Sequence, residues 1–311
     1  MKLKVSSVKD ILECPEPEYL IEGVLFKDTA TILNSPPGVG KSILSLLMAK
    51  SIATGEPFLD MFQINNKGSV LIIDEENPGS ILRDRFNKLK ISQNMPLQFI
   101  HYQGVRLDND NSFSELLKVV NNVKPILIVF DSLIRLHGCK ENDNTEMAIV
   151  MDRFRQIMKA SHTTLLVIHH DRKGSGDKKE RARGGWDIIA AIDYQYCLEE
   201  KPDGTLLLSP GKARGRSIES ISFEFDKDSL TFTYLGGGVS ESKYVIKNVL
   251  EVLGAGSMGV EDIKSGLDKK TIKVGINKLR NYLKAADGKE IISKSTDKGK
   301  LIYRANSSFT D

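Results

Sequence analysis

The chain has 311 residues, 40% of them apolar and 27% charged, which bounds it to an ordinary globular protein with room for one sizeable α/β domain and a small second module. Its net charge of +3 is uneven: residues 239–311 hold 14 Lys/Arg against 9 Asp/Glu, whereas residues 1–238 hold 30 against 32, so the basic excess belongs to the tail. No apolar run reaches membrane-spanning length, Met1 to Ile11 lacks a signal-peptide core, and Cys14, Cys139 and Cys197 follow no metal-ligand spacing; membrane and disulfide-scaffold classes are excluded and a cytoplasmic protein with reduced thiols is expected.

In chain order, the apolar run Thr29 to Leu33 predicts a strand, SPPGVGKS (Ser35 to Ser42) a loop, and ILSLLMAKSIA a helix. That succession suits a triphosphate. Gly38 and Gly40 let backbone amides converge on an anion, Lys41 reaches the β/γ oxygens, Ser42 offers a hydroxyl to Mg²⁺, and the helix N-terminus adds favourable partial charge. Ser35, Pro36, Pro37, Gly38, Val39, Gly40, Lys41, Ser42 and Ile43 are therefore the expected cradle for ATP with Mg²⁺. Ser35 stands where GxxxxGK[ST] has its first glycine, and some loss of turn freedom is expected there.

Further short apolar runs follow at Ser69 to Ile73, Leu97 to His101, Ile126 to Phe130 and Thr164 to His169, with room for helices between them, as in a parallel α/β sheet. The first ends in Asp74, Glu75 and Glu76, where a carboxylate can polarise attacking water; an acidic capping cluster is the alternative. Ile126 to Phe130 puts Asp131 at the carboxyl end of a fully apolar strand, in position to hold Mg²⁺ or its water shell. Thr164 to His169 leads to His169 and His170. Adjacent strand residues point to opposite faces, which speaks against a metal pair and leaves an imidazole to sense the γ-phosphate. Asp171 to Gly185 holds six Lys/Arg, three acids and four glycines, which predicts a mobile loop gripping a polyanion through Lys178, Lys179, Arg181 and Arg183, with a solvated surface loop as the alternative.

Beyond Ile188, alternating runs joined by Pro-Asp-Gly and Asp-Lys-Asp predict antiparallel strands that finish the sheet near Leu235. Within them LLLSPGKARGRS places Lys212 and Arg214 two apart at a strand end, with Arg216 beyond, suited to reach a neighbouring subunit's γ-phosphate. Gly236 to Ser240 reads as a linker. Residues 241–311 read as three helices and a hairpin, the winged-helix plan, with Lys269, Lys270, Lys273, Lys278, Arg280 and Lys284 on the third helix and Lys298 and Lys300 at the hairpin tip. Lys273, Lys278, Lys298 and Lys300 are candidate DNA contacts; docking of a protein stays open.

With these residues in place, the chain over about residues 15–235 resembles the RepA-like hexameric DNA helicases, RecA-fold P-loop ATPases of the AAA_25 type related to the DnaB replicative helicases. YLIEGVLFKDTATILNSPPGVGKS looks like the family's entry into the phosphate loop, EENP like the segment with the catalytic acid, DSLIRLHGCKENDNTEM like the Walker B strand and its loop, HHDRK like the sensor, RGGWDIIAAID like the helix after the DNA loop, and KARGRS like the trans-acting element. The resemblance implies a RecA-like P-loop core with a mostly parallel central sheet, residues 1–235, joined through 236–240 to a small winged-helix domain, residues 241–311. It selects Glu76 as the catalytic acid and implies a homo-oligomeric ring of six that moves single-stranded DNA, with Lys41, Asp131, His170, Lys212 and Arg214 completing the catalytic set. The winged-helix tail is no part of the minimal plasmid helicase and is expected to bind duplex DNA or a replication protein. A regulatory or loading ATPase without unwinding, and a RecA-like recombination mediator, are the rival readings.

Overall fold

The computed structural model describes residues 5–140, 143–170, 188, 191–215, 219–237, 241–270, 272, 274–288, 291–295 and 300–306. Its main feature is a nine-stranded sheet. In chain order the first part of the fold comprises α1 (Val8–Leu12), β1 (Tyr19–Ile21), β2 (Leu25–Phe26), β3 (Ala30–Ser35), α2 (Lys41–Thr54), β4 (Val70–Asp74), α3 (Gly79–Lys88), β5 (Leu97–His101), α4 (Asp110–Val123) and β6 (Leu127–Asp131). It continues through a 3₁₀ turn at Leu133–Arg135, α5 (Asn144–Ser161), β7 (Thr164–His170), β8 (Tyr194–Glu200), β9 (Leu206–Ala213), β10 (Ile221–Asp226) and β11 (Thr231–Gly237).

The sheet order is β11-β10-β9-β8-β3-β7-β6-β4-β5. The six strands from β8 to β5 pair in parallel, and β9, β10 and β11 extend the sheet as an antiparallel meander. Because side chains alternate across a strand, neighbours along β6 enter different cores: Leu127 and Val129 join one cluster, Ile128 and Phe130 the other. Both faces are covered, which is why the parallel strands read as continuous apolar runs. Helix α2 is buried nearly all round, from Ile43 and Leu44 to Ile52, and stops where Gly55 takes a left-handed conformation that closes its last turn onto Ser51.

Three sequence expectations change. The paired β1 and β2 were not expected; two- and three-residue strands carry too little alternation to be seen. Gly236 and Gly237 belong to β11, paired with Ser222 and Ile221, so the linker is shorter than its glycines suggest. A Cβ on Gly237 would lie 1.9 Å from the Ser220 carbonyl oxygen, so close backbone approach explains that glycine. The third tail helix starts at Ile276, capped by Gly275, which leaves Lys269 on the preceding helix and Lys270 as that helix's cap.

The tail contains α6 (Glu241–Leu253), β12 (Ser257–Gly259), α7 (Val260–Lys269), α8 (Ile276–Ala286), β13 (Ile291–Ser295) and β14 (Leu301–Ala305). Its three antiparallel strands are ordered β12-β14-β13, so the expected hairpin gains a short third strand. Val249, Ile263, Leu267, Leu279, Leu283 and Ile291 form its own buried core.

Candidate active site

The carboxyl ends of β3, β7, β6 and β4, four adjacent strands, bring Ser35, His170, Asp131 and Asp74 to one edge of the sheet. Ser35 is level with His170, and Asp74 with Asp131. That edge is where open α/β sheets bind ligands. The loop leaving β3 turns through Gly38 at φ +81° and Gly40 at φ +99°, conformations that suit glycine. At Gly40 a Cβ would also come within 3.1 Å of the Phe225 ring, which would have to shift, so the left-handed backbone is the main bar to a side chain there. Pro36, Pro37 and Gly38 are exposed, while Val39 and Ile43 anchor the loop in the core.

Ser35 makes no left-handed turn. It ends β3, fully buried, and its carbonyl and hydroxyl oxygens each accept from the Lys41 ammonium at 2.9 Å. The Pro36 carbonyl accepts from the same ammonium at 3.1 Å, and His170 Nδ1 lies 3.4 Å away. The departure from the glycine consensus therefore leaves the turn unaltered and adds a hydroxyl that helps to hold Lys41.

The three acids after β4 separate by partner. Asp74 accepts from the Glu76 and Asn77 amides and from the Asn77 side chain, capping the turn. Glu75 accepts from the amides of Gln103, Gly104 and Val105 and ties that loop down. Of the three, only Glu76 reaches the residues that close β6 and β7: Ser132 Oγ donates to its carboxylate at 2.7 Å, and His170 Nε2 lies 3.7 Å from it. The Tyr102 hydroxyl donates to the Glu76 carbonyl at 2.9 Å. Lys41, His170 and Glu76 thus form one line. Hydrogen bonding to His170, and then to Ser132, holds the Glu76 carboxyl down at about 2 against an opposing effect of burial. Sequence reasoning missed Ser132 and Tyr102; the DSL segment placed Ser132 beside the site, but nothing local signals Tyr102.

Asp131 is almost fully buried, and burial, with Asp74 beside it acting in the same direction, pushes its carboxyl up to about 7; a hydrogen bond from Ser42 works the other way. Its Oδ1 has no hydrogen-bond partner among the described residues. A divalent cation would supply the missing partner. A hydroxyl and two carboxylates suit Mg²⁺, which binds through one or two carboxylates plus substrate phosphate. Beneath the carboxylates, Ser42, Ser45, Asp74, Arg85 and Asp131 line a cavity of about 10 Å³, room for one water.

Asp131→Asn should therefore stabilise the metal-free protein at pH 8 by about 1–3 kcal/mol, as removing an uncompensated buried charge does. The sign follows from the raised carboxyl. Between its ordinary value of 3.8 and about 7 the folded state binds the extra proton, so wild-type stability on this account falls as pH rises through that window, and the advantage of the variant shrinks toward pH 4. Thermal melting in chelator at pH 5 and pH 8 measures this, and equal melting of both proteins at pH 8 would refute it.

Lys212 and Arg214 lie elsewhere. Since β9 runs antiparallel to β8, Ala213 is level with Tyr194, which is level with Thr31 at the start of β3. Four residues of strand, about 13 Å, separate that level from Ser35. Lys212 donates to the Ile192 carbonyl at 2.8 Å, and burial lowers its pKa; an Arg214 guanidinium nitrogen lies 3.5 Å from Asp193 Oδ1. Of the expected DNA contacts, Lys178, Lys179, Arg181, Arg183, Lys273 and Lys298 lie outside the described residues. Lys278 stands over the Tyr282 ring at 5.8 Å, and Lys300 pairs with Glu261 at 3.7 Å.

A family model described as an AAA domain, AAA_25, matches residues 2–176. Among solved structures, the fold is similar to the ATPase domain of G40P, with a TM-score of 0.52 and 14% identity over 68% of this chain and 86% of that one. It is similar to a KaiC-like protein from the hyperthermophilic archaeon Pyrococcus horikoshii OT3, with a TM-score of 0.50 and 16% identity over 70% of this chain and 94% of that one. It is also similar to a DnaB-like replicative helicase whose structure was described with its primase interactions, with a TM-score of 0.52 and 12% identity over 68% of this chain and 58% of that one. These likenesses establish a RecA-like core. With a family model matching more than half of the chain and a phosphate loop of this construction, the protein belongs to the AAA_25 family of P-loop ATPases.

Proposed function

We propose that this ATPase is a DNA helicase or translocase that moves single-stranded DNA as a ring of identical subunits, six in number, in the replication of a plasmid, phage or other mobile element. The observation that carries the reading is the separation of its catalytic parts. Lys41, Glu76, Asp131 and His170 gather at one end of the sheet, and Lys212 and Arg214 stand at the other, distant from the subunit's own phosphate loop. A neighbour's site is the natural target for them. Arg214 also lines a cleft of about 420 Å³ at that end, where Arg155, Lys159 and His162 stand with Asp28 and Asp193 around an apolar floor. At the N-terminus Val5, Val8, Ile11 and Leu12 are 93%, 77%, 62% and 80% exposed. Helix α1, five residues long with none buried, is too short to be stable without a partner, which favours assembly. The names of two of the similar proteins, an ATPase domain and a DnaB-like replicative helicase, agree with this reading.

Within one subunit the chemistry follows from the residues. Lys41 and the amides from Gly38 to Ser42 bind and orient the β- and γ-phosphates. Ser42 and Asp131 would hold Mg²⁺, which would supply neutralising positive charge at those oxygens. Glu76 orients and polarises the attacking water with its ionised carboxylate. His170, within reach of both Lys41 and Glu76, registers the γ-phosphate and passes its presence toward residues 171–185. Arg214 of a neighbour stabilises the charge that develops.

The first test is steady-state ATP hydrolysis without DNA, with single strands and with duplex. Stimulation by single strands is expected; duplex-selective or absent stimulation would instead favour a regulatory or loading ATPase. For action in trans, Arg214→Ala alone should lower turnover by about 10³-fold, the scale of a missing arginine finger. Mixing it with inactive Asp131→Ala should restore part of the activity, because some interfaces then combine an intact phosphate site with an intact Arg214. No recovery at any mixing ratio would exclude trans action.

A further inference from the structure

The tail module distributes its charge unevenly. Helices α6 and α7 mix Lys243, Lys247, Lys264 and Lys269 with Glu241, Glu251, Glu261, Asp262 and Asp268, and Lys264 pairs with Asp268, Lys270 with Glu251 and Lys300 with Glu261. Helix α8 contains no acid. It buries Leu279, Leu283 and Ala286 and exposes Asn277, Lys278, Arg280, Asn281 and Lys284. Asn277, Arg280, Asn281 and Lys284 fall at i, i+3, i+4 and i+7, so they share one face spanning about 100°. Arg280 and Lys284 make no ion pair among the described residues, and Arg280 Nη1 donates to Asn277 Oδ1 at 3.2 Å, linking two members of that face.

The residue types narrow the partner. A face meant only to stay solvated would mix Lys with Glu, and one meant for an acidic protein would need cations alone. Paired amides beside a guanidinium offer the donor and acceptor edges that match bases: an asparagine meets adenine N6 and N7, and an arginine meets guanine O6 and N7. At 11 residues the helix is about 16 Å long and suits the B-form major groove, whereas the major groove of A-form RNA is too narrow for it. Single-strand binding relies on exposed aromatics for stacking; here Tyr282 is half-buried and Lys278 stands over its ring.

We infer that α8 is a base-reading helix that enters the major groove of duplex DNA, with Asn277, Arg280 and Asn281 on base edges and Lys284 on phosphate. The inference goes beyond the motor proposed for the ATPase core. It asks for a specific site, where the ATPase core asks only for a strand to move along. In this arrangement the tail holds the protein at one locus.

The experiment uses the full chain at about 0.15 M salt, a concentration that must be fixed because phosphate contacts are salt-dependent. A random-sequence duplex library is selected on the protein, and the winning duplex and a scrambled one are titrated by fluorescence anisotropy. One sequence should be enriched. Arg280→Ala and Asn281→Ala should each weaken the selected duplex by about 5- to 150-fold, the range for losing one bidentate base contact, while changing the scrambled duplex far less. Lys284→Ala should weaken both alike and lower the salt slope by about one. All three positions are exposed, so unchanged melting separates lost contacts from lost fold. No enriched sequence, or a selected duplex bound equally by wild type and the Asn277→Ala, Asn281→Ala double variant, would overturn the inference. Site selection by a protein that shows no ATP turnover would sink the motor reading and leave this one standing.

Discussion

Lys41→Ala is expected to lower ATP turnover by at least about 10³-fold, the upper end of what removing one preorganised charged donor costs at a phosphoryl or oxyanion site. The ammonium is buried and already directed: the Ser35 carbonyl, Ser35 hydroxyl and Pro36 carbonyl accept from it, and the first turn of α2 carries its stem. Three acceptors hold it beside the ring of His170, so little reorganisation is needed when phosphate arrives. The same contacts predict a structural cost. Losing the ammonium leaves the Ser35 and Pro36 oxygens short of a donor, worth about 1–3 kcal/mol. Lys41→Met leaves the same oxygens without a donor but keeps the packed aliphatic stem, so it should lose only that part of the stability while remaining inactive. Phosphate release measured together with thermal melting separates the two effects, and turnover within tenfold of wild type in a folded Lys41→Met protein would remove Lys41 from the site.

The contrast between Lys41 and its surroundings shows what a single sequence carries. The phosphate loop was legible because strand, glycines, lysine and helix are contiguous, and the parallel strands because both of their faces are buried, leaving unbroken apolar runs such as Leu127 to Phe130. The antiparallel meander was legible from turn residues. What escaped depends on partners far along the chain. Tyr102 meets the Glu76 carbonyl across 26 positions, and Glu75 takes three amides from 28 to 30 residues away. Asp74, Glu75 and Glu76 stand at and beyond the end of β4, where strand alternation no longer assigns directions, so the residues themselves left the catalytic acid open and only family resemblance selected Glu76. The glycines at 236 and 237 show the reverse error: composition suggests a linker, whereas close approach to Ser220 is what requires a glycine at 237.

That three-way separation of the acids makes the second large effect sharp. Glu76→Gln should lower turnover by about 10²–10⁴-fold, the usual contribution of a positioned general base, with ATP binding changed little. Glutamine keeps the shape and an oxygen for Ser132 but loses the charge that faces His170. Glu75→Gln should do the opposite. Its carboxylate accepts from three amides of the 103–105 loop, so losing that charge should lower stability by about 1–3 kcal/mol with a smaller loss of turnover. The pH behaviour follows the sign of the Glu76 shift. Its carboxyl lies at about 2, below the ordinary 4.5, so it stays ionised through the physiological range, and the stability it contributes is present above pH 4.5 and lost as pH falls toward 2. A rate that declines between pH 8 and pH 5 therefore has another source, and Glu76→Gln should leave the midpoint of that decline in place. Single-turnover hydrolysis, nucleotide binding and melting on the two variants provide the comparison. If Glu75→Gln loses more turnover than Glu76→Gln, the water-orienting role belongs to Glu75, and the hydrogen bonds from Ser132 and Tyr102 to Glu76 serve only to close the turn.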